Sequence, residues 1–388
     1  MIAVSAIAFG ISFFIWLWAW NDGFKAMLVN NTTGYYIGHL QIAAVGFRPE
    51  YNPQFSISEP GKVEEVLKNN HRISAFSSRI ETPSFISSAT KSMGILLIAI
   101  DPSAESKVTL FPQKVTTGEY LRKEDDQAII LGKKLAENLR VEAGDKIVIT
   151  ISAVDGSLAQ AAFRVKGVMD TGIRNLDGSL ACITLSSGQR MLSLSNGVTT
   201  FVIKLKDQSQ SEKVEMELKQ KLSSVRYDVE SWQEIMPILI YITGFYSFIM
   251  LIMLEVAFAV MAIGIANTII LSVIERTREL GVMMALGTNF PRLAMIIVLE
   301  SILLGILGIL LGNGLGLILV LITQRTGIDL TLFNIKDMPG AMSIVYPVIV
   351  VEHQIFVSVL VLVFTVLFSV FPLLRVCRLK PAEAIRFV

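Results

Sequence analysis

The sequence predicts a membrane protein of four transmembrane α-helices plus a large α+β extracytoplasmic domain inserted between helices 1 and 2. Two observations carry this expectation. The 388 residues are 52% hydrophobic and only 17% charged, whereas soluble domains carry about a quarter charged residues. The apolar residues are also concentrated, at 1–20, 237–274, 293–322 and 355–374, while 21–236 has an ordinary soluble composition. About 20 apolar residues make a helix that crosses about 30 Å of hydrocarbon, and a helix satisfies its own backbone in lipid.

The first apolar run, Ile2 to Trp20, lacks the basic front end and small-x-small site of a cleaved signal sequence. It ends in Trp16, Trp18 and Trp20, aromatics that favour the membrane interface, and reads as a retained helix. The absent basic flank leaves open a start upstream of Met1. Residues 21–236 show strand patterns at Leu40–Val45, Ile95–Ile100, Ala128–Leu131, Lys146–Ser152, Ala161–Val168, Leu180–Thr184 and Phe201–Leu205. Helical patterns fall at Gly61–Asn69, Lys133–Leu139, Ser186–Leu192 and Ser211–Ser223. Turn chemistry stands at Asn69-Asn70, Ala143-Gly144-Asp145 and Asp155-Gly156. The region is long enough for one domain or two subdomains.

The second apolar run, 237–274, is too long for a simple crossing, at about 57 Å of helix. It is either one helix whose outer part projects as a stalk, or a pair of spans turning near Gly244. Thr243-Gly244 is a poor polar turn, which favours the projecting helix. Span three covers 293–322 and span four 355–374. Orientation follows the Lys and Arg of short loops. The 275–292 loop holds Arg276, Arg278 and Arg292, and the tail 375–388 holds Arg375, Arg378, Lys380 and Arg386. In the loop 323–354, Arg325 and Lys336 are balanced by Asp329 and Asp337. The first two segments are therefore expected to be cytoplasmic, and 21–236 with 323–354 extracytoplasmic.

Several function classes are disfavoured. A net charge of +1 without a basic patch interleaved with aromatics gives no argument for nucleic acid. Two cysteines make no disulfide framework, and Cys182 and Cys377 are expected on opposite sides of the membrane. His39, His71 and His353 are isolated, without metal spacing. There is no GxxxxGK[ST] to cradle ATP phosphates, and neither GxSxG nor HExxH. No catalytic, cofactor-binding or metal-binding residue is expected in this chain.

The informative stretch is the 275–292 loop. Its charged residues suit water, while Leu280, Val282, Met283, Met284 and Leu286 need a cover, so it is either an adaptable partner surface or an ordinary interfacial loop. Gly308 and Gly312 form a GxxxG pair that lets helices approach closely, against a neighbouring span or a partner permease. Glu255 and Glu300 lie within spans, where an ionised carboxylate costs roughly 2.5–3.5 kcal/mol on insertion scales. Each should face protein or an interface, with a proton relay or substrate contact as the functional alternative for Glu255.

The segment ERTRELGVMMALGTNFPRLAMIIVLESILLGILGILLGNGLG resembles the signature of the FtsX-like permease family, which includes lipoprotein-releasing and macrolide-exporting ABC permeases. In that family an ERxREΦGxxxAΦG segment (Φ apolar) is the coupling helix that docks on the ATPase subunit. Glu275, Arg276, Arg278, Glu279, Gly281, Ala285 and Gly287 match it, with Leu280, Met284 and Leu286 as the apolar contacts. The closing segment Pro372–Arg386 is similar to the family's PxxxAxxxxPxEALR pattern but departs from it at Arg375-Val376-Cys377-Arg378. Gly132–Ile147 is similar to the family's GxxLAxxLxΦxxGDxΦ segment. Asp170–Asp177, followed by Leu185–Leu192, resembles the lipoprotein-releasing branch more than the macrolide one.

The resemblance implies a permease subunit of the bacterial inner membrane without an ATPase site of its own. ATP and Mg would act through two copies of a partner ATPase. A second permease, the same or a related chain, and a periplasmic chaperone or adaptor are further implied partners, besides membrane lipid. The implied task is release or export of a lipoprotein or lipophilic substrate. A regulator that transmits ATPase motion to a cell-wall hydrolase is the alternative; its outer domain is usually smaller. A proton-coupled secondary transporter would need more spans and internal repeats.

Overall fold

The computed structural model describes residues 2–275, 279, 282–284, 286–329 and 344–376. Two compact units are present. One is helical, made of residues up to 26, 242–329 and from 344 on; the other is mixed and covers 27–241. The first helix, α1 (Ile2–Thr32), continues well past Trp20 because no proline interrupts it. A π-helical turn, Thr33–Ile37, follows it and ends at Gly38, whose φ of 72° favours glycine.

The mixed unit holds β1 (Leu40–Ala44), α2 (Pro60–Lys68), β2 (Ile73–Ser87), β3 (Ser92–Ile100), α3 (Pro102–Val108), β4 (Val115–Gly118), β5 (Ala128–Gly132) and α4 (Lys133–Leu139). It continues with β6 (Lys146–Ser152), β7 (Leu158–Met169), α5 (Arg174–Ser179), β8 (Leu180–Thr184), α6 (Leu185–Leu192), β9 (Thr200–Leu205), α7 (Ser211–Lys221), β10 (Tyr227–Ser231) and the short α8 (Trp232–Ile235). The expected strands and helices fall within these elements or differ by a residue or two at their ends. Absent from the sequence expectation are β2, β4, β10, α3, α5 and α8.

The strands build two lobes that share β2. In one, β10, β1, β9 and the first half of β2 lie side by side, every neighbour antiparallel. With α2 joining β1 to β2 and α7 joining β9 to β10, these are two interlocked split β-α-β units. Leu40, Ile42, Phe201, Val63, Val214 and Leu218 fill the core between this sheet and the two helices. In the other lobe the second half of β2 pairs with β3, β3 with β8, β8 with β5, β5 with β7, β7 with β6, and β6 returns to β2. That ring is a closed barrel, which removes sheet edges. In β6 the isoleucines 147, 149 and 151 are buried while Lys146, Val148 and Ser152 face outward, the period of two that a barrel wall requires. Pro83 falls where β2 has left β9 and not yet met β6, so β2 is paired on one side only there.

At the crossing of the two lobes β2 buries charge. Arg79 is fully buried; its guanidinium donates to both oxygens of Glu105 on α3, and Nη1 donates to the Tyr36 carbonyl at 2.7 Å. Tyr36 Oη donates to Glu81 at 3.1 Å, and the Glu81 N–H donates to Thr199 Oγ1 at 2.9 Å. Burial opposes the charge on Arg79, but Glu105 beside it outweighs burial and raises the guanidinium pKa. Burial, and then the Glu81 charge, push Tyr36 up. The chain thus leaves α1 into a turn whose backbone is gripped by the residue that joins the lobes.

In the helical unit α1 is joined by α9 (Pro237–Glu275), α10 (Phe290–Thr326) and α11 (Val351–Val376), with a two-stranded ribbon of β11 (Ile328–Asp329) and β12 (Ile344–Val345). All four helices are long and apolar enough to cross a membrane. The chain from Pro237 to Glu275 is one unbroken helix; no turn occurs at Gly244. Phe14 stacks on Phe258 at 4.4 Å, and Ile11, Leu254, Val320 and Val361 complete the bundle core. The return strand after β12 lies across α1. The Val348 N–H donates to the Ala19 carbonyl at 2.9 Å, and a Cβ at Gly23 would stand 2.2 Å from the Tyr346 carbonyl oxygen.

Candidate functional site

The 275–292 segment is where sequence placed the partner contact. Arg276, Arg278, Leu280, Gly281 and Ala285 lie outside the described residues, as does everything after Val376. Glu275 is the last residue of α9. Glu279 and Val282–Met284 are helical, and the short helix stops in a fully bonded cap. The Thr288 N–H donates to the Met283 carbonyl and the Gly287 N–H to the Met284 carbonyl, each at 3.0 Å, with Gly287 at φ 90°. This is the Schellman arrangement, in which a left-handed glycine satisfies the last carbonyls. The chain then reverses into α10, whose first turn carries Pro291, with Asn289 at the cap position.

The residues of this segment differ in exposure. Met283 and Met284 pack on Leu293 and Ile297 of α10, closing a small apolar cluster. Val282 and Leu286 are joined by the Leu286 N–H donating to the Val282 carbonyl at 3.0 Å and are both exposed, by 44% and 82%; Glu279 is exposed as well. The described residues of this segment thus expose two aliphatic side chains and a carboxylate.

Gly308 and Gly312 face α1 of the same chain. A Cβ at Gly308 would stand 2.6 Å from Ile7 Cγ2, and one at Gly312 2.8 Å from Ile11 Cβ and 2.9 Å from the Ala8 carbonyl oxygen. Gly316 continues the stripe against Ile15, a turn further along both helices. On its other flank α10 binds α11, where Asn313 Nδ2 donates to Ser358 Oγ at 3.0 Å. Of the carboxylates, Glu300 is half-buried on α10. Glu255 is exposed on α9 without a hydrogen-bond partner among the described residues.

Sequence reasoning missed a second polar cluster. His353, isolated in the sequence, has Nδ1 2.7 Å from Asp22 Oδ2 and a ring stacked on Trp18 at 4.5 Å. These residues meet only because the return strand brings the start of α11 beside α1, and no local pattern signals that.

Residues 1–221, more than half of the chain, match the model of the MacB-like periplasmic core domain, and residues 251–381 match the FtsX-like permease C-terminal model. The lipoprotein-releasing system transmembrane protein LolC of Xylella fastidiosa is 23% identical over 404 residues, covering 100% of this chain and 93% of the relative. The corresponding protein LolE of Haemophilus influenzae is 23% identical over 333 residues, covering 83% and 80%. Among solved structures, the periplasmic region of MacB from Actinobacillus actinomycetemcomitans overlays with a TM-score of 0.38 at 14% identity, covering 55% of this chain and 97% of that one.

Proposed function

Because the chain belongs to the family defined by the MacB-like periplasmic core domain, we propose that it is the membrane-spanning permease subunit of an ABC transporter whose ATPase is a separate polypeptide. The observation that carries this reading is the capped turn that follows Val282–Met284. Met283 and Met284 anchor the segment to α10, and Val282, Leu286 and Glu279 are left for a partner, the division of labour expected of a docking element. In this reading the segment docks on the ATPase at the cytoplasmic surface, two ATPase copies bind and hydrolyse ATP with Mg, and α9, about 58 Å long at 1.5 Å per residue, transmits their motion outward to the mixed unit. The relatives named for lipoprotein release cover nearly all of this chain, which supports a lipoprotein or similarly lipophilic cargo handled outside the inner membrane, with a periplasmic chaperone or adaptor receiving it.

Glu255 supports a second permease alongside. A carboxylate exposed on a spanning helix costs roughly 2.5–3.5 kcal/mol unless protein covers it, and a same or related chain on that face of α9 supplies the cover.

The test is co-purification with the ATPase subunit. Leu286→Asp and Glu279→Lys are expected to abolish capture of the ATPase and its stimulated hydrolysis, while the chain stays in the membrane fraction. Capture and stimulation at the unsubstituted level would overturn the assignment.

A further inference from the structure

The helical unit has an open cleft of about 150 Å³ between α1, α9 and α11. Its polar wall is formed by Asn21 and Lys25 of α1, Ser247 of α9 and His353 of α11, and its apolar wall includes Trp18 and Leu254. We propose that this cleft binds the headgroup of an anionic membrane phospholipid, a phosphodiester of the phosphatidylglycerol type, with Lys25 and His353 as its anion contacts.

Charge is the first argument. Asp22 is engaged by His353 at 2.7 Å; the Lys25 charge also acts on Asp22, but among the described residues Lys25 closes no salt bridge, so its ammonium can turn to a ligand. The second is geometry. The imidazole is fixed by Asp22 on Nδ1 and by Trp18 across its face, so that as an imidazolium it has its Nε2–H left to donate to an anion. Asn21, only 4% exposed, adds a buried amide.

Position and size choose among anions. Trp16, Trp18 and Trp20 mark the depth at which aromatic rings sit among headgroups, and a lysine one turn beyond reaches that layer with its stem in apolar surroundings. The volume suits a phosphate and a glycerol rather than a whole lipid. Leu254 closes the apolar side, and Leu251, 51% exposed, lines the cleft where it opens outward. The site lies within one chain and needs neither ATPase nor second permease, so its failure and that of the permease reading are separable.

The experiment uses the full chain in micelles carrying equal phosphatidylglycerol and phosphatidylethanolamine, with bound lipid counted by native mass spectrometry. Phosphatidylglycerol is expected to be retained preferentially. Lys25→Gln should lower that retention about fivefold, the effect of one cation near a membrane surface. His353→Gln should lower it too, Lys25→Arg should keep it, and excess inorganic phosphate should not displace the lipid. Equal retention of the two lipids, unchanged retention in Lys25→Gln, loss in a well-folded Lys25→Arg chain, or displacement by inorganic phosphate, which marks a soluble-anion site, would each overturn the proposal.

Discussion

Arg79 and Glu105 form a bidentate pair, Nη2 to Oε1 at 2.5 Å and Nε to Oε2 at 3.1 Å, with neither side chain reached by solvent. Such a pair adds little to stability over an apolar replacement, yet removing one member strands a buried charge. Arg79→Met is therefore expected to destabilise the mixed unit by about 3–5 kcal/mol. Arg79→Met combined with Glu105→Met should regain most of that loss, partly offset by the stranded Glu81 and Tyr36. Thermal unfolding of the single and double variants checks this, and equal losses in both would refute it.

His39 supplies a pH dependence. Its Nδ1 accepts the Leu205 N–H at 3.1 Å. Burial first, and then the Lys204 charge, lower its pKa from 6.5 to about 4. In the unfolded chain the ring takes up a proton near pH 6.5, which the folded chain refuses until about 4. Its contribution is complete above that window and is lost as pH falls through it. Stability of the mixed unit should decline between pH 6.5 and 4, and His39→Gln, which keeps an acceptor and cannot titrate, should flatten that decline.

The glycines of α10 differ in what surrounds them. A Cβ at Gly312 meets α1 at 2.8 Å, whereas Gly314 has nothing within 4 Å. Gly312→Leu should separate α1 from α10 and lower the melting temperature of the detergent-solubilised chain. Gly314→Leu should leave it unchanged, and similar losses in both would contradict the packing described.

Gly287 closes the turn that follows Val282–Met284, the segment proposed to dock on the ATPase, at φ 90°. Gly287→Val forces a β-branched residue into that conformation, at a cost of at least about 1 kcal/mol. ATPase capture should weaken without being abolished, unlike the loss expected of Leu286→Asp, because the exposed side chains survive while the cap does not. Titrating the permease against ATPase and comparing half-saturation points measures the difference.

The helical unit was legible because its signal is the length of an apolar run, which needs no tertiary context. The barrel strands were legible where Val and Ile alternate or cluster, as in β6. The connecting strand β2 was not, because Arg79, Glu81 and Pro83 break its pattern, and the buried charges make sense only once α3 and the π-helical turn surround them. Within 275–292 sequence marked the residues but not their surroundings; that Met283 and Met284 pack on α10 while Leu286 is exposed depends on the cap at Gly287. Asp22 and His353 were illegible as a pair, being brought together only by the return of the chain.

Leu40, the first residue of β1, sits opposite Ser231, the last of β10. The strands of the mixed unit thus begin and end at neighbouring positions on one sheet, with every other strand threaded between them. A unit whose ends are neighbours can be excised, re-joined by a short linker or transplanted onto another pair of helices without unpicking its interior. It is a cassette, and new termini opened in an exposed turn such as Asp155-Gly156 would yield a circular permutant with the same barrel and the same sheet.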